Sequence, residues 1–298
     1  SKEELIMSQK INPNEASLTR WIATIIVGYI LGGVVLLLPW ILIKVIFPDF
    51  LINSPFGFMA SIVELMIPFF FLFLGTVIAI KWIAKTSLRD FLFKGSRKLK
   101  KKDCAIILSL YALGMLICYI PNIPNITLRG ITPGSFVILF VFCSLFVWAQ
   151  TSWEELIFRG IFIRYACKND IKMSKKAVFW GIFSSLFFMA VHGINPEVLS
   201  QSGWQGIPAM ISYAIPGMGL YFANIYYQSL VPGLLIHWLN NFVIFVFVSE
   251  SITAGGSPSL FVDTSSATGF ENMTATIIMY MPLYLYFAYQ IYKKKKAA

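Results

Sequence analysis

The sequence predicts an all-α integral membrane protein, a bundle of about eight transmembrane helices, on three observations. Of 298 residues, 57% are hydrophobic and 13% charged, against about 25% charged in an ordinary soluble domain. Mean hydropathy is +0.73. The apolar residues gather into runs of the roughly 20 residues needed to cross a hydrocarbon core, and the lysines and arginines gather between alternate runs.

The runs are Trp21 to Phe47, Phe56 to Ile83, Cys104 to Ile120, Phe136 to Cys167, Ala177 to His192, Ile207 to Ile225, Leu230 to Ser249 and Ala275 to Tyr292. The fourth exceeds what a bilayer needs and is expected to tilt or protrude. Pro208, Pro216 and Gly217 predict an irregular sixth. Residues 1–20 read as a cytoplasmic N-terminal segment, 21–292 as one membrane domain, and 293–298 as a basic cytoplasmic tail. No cleavable signal segment is expected, because Ser1 to Ser17 is polar and the first apolar run is too long.

The net charge of +10 does not point to nucleic acid, since the basic residues flank apolar runs instead of forming a base-reading surface. It sets orientation. Lys2, Lys10 and Arg20, then Lys85, Arg89, Lys94, Arg97, Lys98 and Lys100 to Lys102, then Lys168, Lys172, Lys175 and Lys176, then Lys293 to Lys296 fall on one side. Positive residues mark the cytoplasm, so a multi-pass cell-membrane protein with both termini cytoplasmic is expected. Arg129 is the clearest exception, and Lys44 is expected to snorkel from the outer end of the first span. The stretch Lys85 to Lys102 reads either as an interfacial helix or as a solvated loop, and Glu250 to Glu271 as an exposed outer linker. Cys104, Cys118, Cys143 and Cys167 lack metal-ligand spacing and read as small buried hydrophobes.

Few ionisable residues remain inside the runs, among them Glu64, Glu154, Glu155, Arg159, His192 and His237. Each charge at a helix centre costs about 2.5 to 3.5 kcal/mol on insertion scales, so they must face protein, water or one another. Glu155 and Arg159 are at i, i+4 and predict an ion pair, whereas Glu154 is turned about 100° away and can face a cavity. One buried charge network of purely structural use is the competing reading. His237 and Asn241 share a helical stripe, with Asn240 turned elsewhere. At about 1.5 Å per residue, Glu154 and His192 reach a common level roughly 20 to 23 Å from the basic end, and His237 only about 10 Å. Glu64 reads as structural, and Tyr213, Asn224 and Gln228 are weaker candidates of the same kind. Thr151 and Ser152 have no nearby base in sequence, which argues against serine chemistry.

Three motifs now stand in order on separate spans: Glu154-Glu155-Leu-Ile-Phe-Arg159, Phe188-x-x-x-His192 and His237-x-x-x-Asn241. Together they resemble the CAAX protease and bacteriocin-processing family of intramembrane endopeptidases, also called the Abi family, over residues 136–249. The resemblance implies Glu154 as general base for a water that His192 helps to hold. Glu155 and Arg159 would brace the helix, and His237 with Asn241 would stabilise the oxyanion. The substrate would be a membrane-associated protein or peptide, of CAAX type or a peptide precursor.

Two other classes compete. A non-catalytic scaffold or immunity protein of the same fold would capture peptide without cutting it, and a proton-coupled transporter would also place Glu and His at mid-membrane. No pseudo-repeat of broken helices supports the transporter. As to cofactors, two histidines and a carboxylate are one ligand set for zinc or another divalent metal, which would make Glu154, His192 and His237 ligands. Without HExxH spacing, the sequence favours a glutamate-activated water that requires no metal.

Overall fold

With no water in the hydrocarbon core to satisfy backbone N–H and C=O groups, apolar runs of this length must bond internally as helices. The computed structural model describes residues 17–92, 99–166, 175–227, 229–250, 258–265 and 267–297. Most of the N-terminal segment, the lysines and arginine at 94–98, Cys167, Lys168, Lys172 and Gln228 lie outside them.

Helix α1 (Leu18–Ile30) starts on a Ser17 hydroxyl that accepts the Arg20 N–H, and continues through a π-helical segment (Leu31–Leu36) into α2 (Leu38–Ile46). Helix α3 (Ala60–Trp82) packs back on this run. The two approach at glycines: a Cβ on Gly32 would lie 2.4 Å from the Phe71 carbonyl, and one on Gly75 would lie 2.3 Å from the Gly32 nitrogen. Small residues that admit a neighbouring backbone are a standard helix contact in lipid.

The short α4 (Leu88–Leu92) leads to α5 (Lys101–Tyr119), a 3-10 turn (Ile120–Asn125) and β1 (Ile126–Leu128). Helix α6 (Pro133–Glu155) is capped by Thr132, passes through a second π segment (Leu156–Gly160) and ends as α7 (Ile161–Ala166). Then follow α8 (Lys175–His192), α9 (Pro196–Leu199), α10 (Gly206–Tyr227), α11 (Val231–Val246), β2 (Val248–Glu250), β3 (Phe261–Asp263) and α12 (Gly269–Ala297). Despite Pro216 and Gly217, α10 is one helix, central to the bundle and packed on α8, α11 and α12.

This is a helical membrane protein. Among the described residues, four helical runs are long and apolar enough to cross a bilayer, Thr19–Ile46, Gly57–Trp82, Lys101–Asn125 and Pro133–Ile163, and Val231–Val246 is a shorter apolar helix. Large apolar side chains such as Val34, Val45, Leu145, Phe179 and Leu285 are exposed on their outer faces, as lipid contact requires.

The connections sort to two ends. At one, a small sheet of order β1-β3-β2 pairs Ile126 with Asp263 antiparallel and Val248 with Phe261 parallel. The Gln201 side chain joins this end by accepting the Gly269 N–H and donating to the Ala267 carbonyl. At the opposite end the Leu230 N–H and Ser229 hydroxyl donate to the Leu92 carbonyl, over a cluster of Trp21, Ala84, Phe91, Ile163 and Ala177. The second end carries Lys85, Arg89 and Lys100 to Lys102.

Several expectations need correction. The predicted outer linker is not loose over its described part, since 261–263 pair on both sides and Ser259 and Asp263 are buried; 251–257 and 266 lie outside the described residues. Lys44 does not snorkel freely but pairs with Glu64. Phe91, in the basic stretch, is buried against Trp21 instead of facing a leaflet. Cys143 is buried as expected, while Cys104 and Cys118 are half-buried and free.

Candidate active site

Glu154 and Glu155 end α6 where the π segment begins. A π turn adds a residue to the helical register and recurs at functional sites; here it is followed on by α7 without a break. Glu155 and Arg159 are completely buried, 3.0 Å apart. The guanidinium also lies 4.1 Å from the Phe188 ring centroid. The predicted i, i+4 pair is therefore present.

Glu155 does more than pair. Its Oε1 also accepts from His237 Nδ1 at 3.0 Å, and its Oε2 accepts from Asn224 Nδ2 at 3.3 Å. A carboxylate in this ion pair only accepts, so Nδ1 of His237 carries the hydrogen and Nε2 faces away from it. Nε2 lies 3.4 Å from Glu154 Oε2. His237 is thus level with Glu154, which corrects the shallower depth expected from helix rise.

Glu154 Oε1 terminates a chain of hydrogen bonds that all donate in one direction. The Tyr111 hydroxyl donates to Asn240 (2.7 Å), Asn240 to Asn241 (2.9 Å), Asn241 to Gln150 (3.0 Å) and Gln150 to Glu154 Oε1 (2.5 Å). Bonds aligned head to tail polarise one another. Asn240, expected to point elsewhere, is the second link. Oε2 of Glu154 is buried and has no hydrogen-bond partner among the described residues.

His192 is half-buried and its Nδ1 donates to the Phe188 carbonyl at 2.8 Å, which leaves Nε2 as the acceptor nitrogen. Tyr213 stacks on its ring at 4.5 Å. The Tyr213 hydroxyl in turn donates to Glu197, which Asn195 also contacts at 3.0 Å. Glu154, His192, His237 and Asn241 all line one cavity of about 740 Å³, which extends to Asn125 and Asp263 at the sheet end. Glu64 is absent from that lining.

Gln150, Tyr111 and Glu197 were not singled out by sequence. Gln150 had a readable signal, a polar residue four positions before Glu154 on the same face. Among the described residues no three of the His, Cys, Asp and Glu side chains form a group of metal-ligand geometry.

Residues 133–243 match the family described as type II CAAX prenyl endopeptidase Rce1-like. Over that stretch the chain is similar to this family. The Rce1-like stretch begins at the first residue of α6 and ends two past Asn241, so it contains Glu154, His192, His237 and Asn241 but not Tyr111. The family carries an intramembrane protease kind of function. The uncharacterized protein YyaK of Bacillus subtilis (strain 168) is 25% identical over 272 residues, covering 87% of this chain and 88% of that protein. No solved structure matches the chain.

Proposed function

We propose that the protein is an intramembrane endopeptidase that hydrolyses a peptide bond in a membrane-associated protein or peptide with a water activated by Glu154. The observation that carries this reading is the buried Oε2 of Glu154, which has no hydrogen-bond partner among the described residues and stands 3.4 Å from His237 Nε2 on the cavity lining. Water held by Nε2 of His192 gives a proton to Glu154 as its oxygen attacks the scissile carbonyl carbon. His237 and Asn241 donate to the resulting oxyanion. Collapse of the intermediate breaks the C–N bond, and the proton on Glu154 passes to the leaving nitrogen, releasing a carboxylic acid and an amine, which exchange the remaining proton to leave as carboxylate and ammonium.

Charge supports the assignment. Glu154, Glu155 and Arg159 sum to one negative charge, which a second hydrogen on His237, carried by Nε2 beside Glu154, offsets in the low dielectric while leaving Glu154 able to accept a proton. We favour a mechanism with no obligatory metal, since Glu154, His192 and His237 lack the HExxH spacing that sets two histidines on one helical face. We read the helices as eight spans, with α8, α10 and α12 crossing beside the five apolar ones, and the basic end and both termini as cytoplasmic.

Mass spectrometry of membrane peptides from cells carrying the wild type or Glu154→Gln tests the function. A peptide with a new terminus only in the wild type is expected. Identical peptide sets would overturn the protease reading and leave a peptide-capturing scaffold.

A further inference from the structure

Asn224 is a neutral polar residue in an apolar run, and the proposed reaction makes no use of it. It lies in the last turn of α10 and is completely buried. Its side-chain amide has partners on two other helices. Nδ2 donates to Glu155 Oε2 on α6 at 3.3 Å, and Oδ1 accepts the Gly233 N–H in the first turn of α11 at 2.7 Å. These neighbours fix which way the amide points, because an ion-paired carboxylate only accepts and a backbone N–H only donates.

The first turn of a helix leaves backbone N–H groups without intrahelical acceptors, and each is costly when buried unless another group accepts it. At α11 the Ser229 hydroxyl accepts the Val231 N–H, Pro232 has none to offer, and Asn224 accepts that of Gly233. The Asn224 carbonyl also accepts the Ser229 N–H at 3.1 Å. One residue thus anchors both the connection and the helix that follows. Gly233 leaves the room for it: a Cβ there would lie 2.6 Å from Nδ2 and 2.7 Å from Oδ1 of Asn224. From Gly233, one helical turn along the same face of α11 leads to His237.

We propose that Asn224, seated against Gly233, is a positioning residue for the proposed reaction: it ties the start of α11 to Oε2 of Glu155, which sets how Oε1 meets His237 Nδ1 and therefore where His237 Nε2 stands beside Glu154. Arg159 and His237 both donate to Oε1, so without a donor on Oε2 the carboxylate is free to turn about that oxygen. A misplacement of about 1 Å in a catalytic group can cost about a hundredfold in rate. The inference rests on the reading of Glu154 and His237 as catalytic.

NMR of protein isotope-labelled in the histidine ring nitrogens reads this placement without substrate. The chain has two histidines, so His192→Gln protein in lipid nanodiscs shows the His237 ring alone. In that background its Nδ1 hydrogen is expected to exchange slowly with water, and about fivefold faster or more, the loss of one hydrogen bond, once Asn224→Ala or Gly233→Ala is added. With His192 restored, turnover of the peptide that separates wild type from Glu154→Gln should fall about tenfold or more in either variant, with peptide affinity unchanged, as for an interaction that acts only in the transition state. Asn224→Ala with Gly233→Ala gives the new methyl the space of the lost amide. That double variant should be more stable to unfolding than Gly233→Ala alone and should recover neither slow exchange nor turnover; its exchange rate decides the question where a single variant does not fold. Slow exchange retained in any of the three, or turnover regained by the double variant together with stability, would mean that Asn224 only packs and would overturn the proposal. A wild type that cleaves no peptide would sink the protease reading, while the exchange rates still decide the placement of His237.

Discussion

Arg159→Met tests whether the buried ion pair holds the catalytic helix in place. Both partners are fully buried at 3.0 Å, so this is unlike an exposed pair, whose loss costs about 0 to 1 kcal/mol. Removing one member of a buried pair leaves a charge uncompensated, at about 3 to 5 kcal/mol. Asn224 and His237 still donate to Glu155 after the change, which puts the expected loss near the lower limit, about 3 kcal/mol. Glu155→Met with Arg159→Met removes both charges and should recover most of that stability. It should not recover cleavage, since His237 then loses the acceptor that fixes its Nδ1 hydrogen. The assay is denaturant unfolding in detergent with peptide cleavage measured on the same samples. A single-variant loss below about 1 kcal/mol, or a double variant less stable than Arg159→Met alone, would refute the reasoning.

Tyr111→Phe removes the first donor of the chain that ends on Glu154, at about 1 kcal/mol for one hydrogen bond; cleavage should slow by about fivefold with peptide binding unchanged, and an unchanged rate would show that the chain does not act on the carboxylate. Gly75→Leu forces a side chain against the backbone at Gly28 and Gly32 and should lower unfolding stability by about 1 to 3 kcal/mol, whereas a neutral result would mean that α1 and α3 do not meet there. In a background without the four native cysteines, Ser202→Cys should react with an impermeant thiol reagent in intact cells and Lys100→Cys only after lysis. The reverse pattern would invert the assigned orientation.

The motif residues were legible because a charge in lipid is costly enough that it seldom occurs without a partner. Glu154, Glu155, Arg159, His192 and His237 stand out against apolar neighbours for that reason, and the structure brings them together. Neutral polar groups carry no such signal. Tyr111 is one of 13 tyrosines, and nothing local distinguishes it from those that only pack. The sheet was missed because three-residue strands have too little alternation to read, and the pairing of β1 with β3 joins residues more than a hundred positions apart. The depth of His237 was misjudged because the connection before α11 was placed at the membrane surface. Ser229 and Leu230 are instead buried beneath α4, bonded to Leu92, which sets the start of α11 deeper.

The most direct test is the turnover of one cleavable peptide by wild type and Glu154→Gln in proteoliposomes, with unfolding measured on both. Glu154→Gln keeps the shape of the side chain but cannot take a proton from water. Its rate is expected to fall by about 10²- to 10⁴-fold, the usual contribution of general base catalysis, with unfolding stability and peptide affinity retained. A Glu154→Gln protein that cleaves within a few-fold of the wild-type rate would contradict the account.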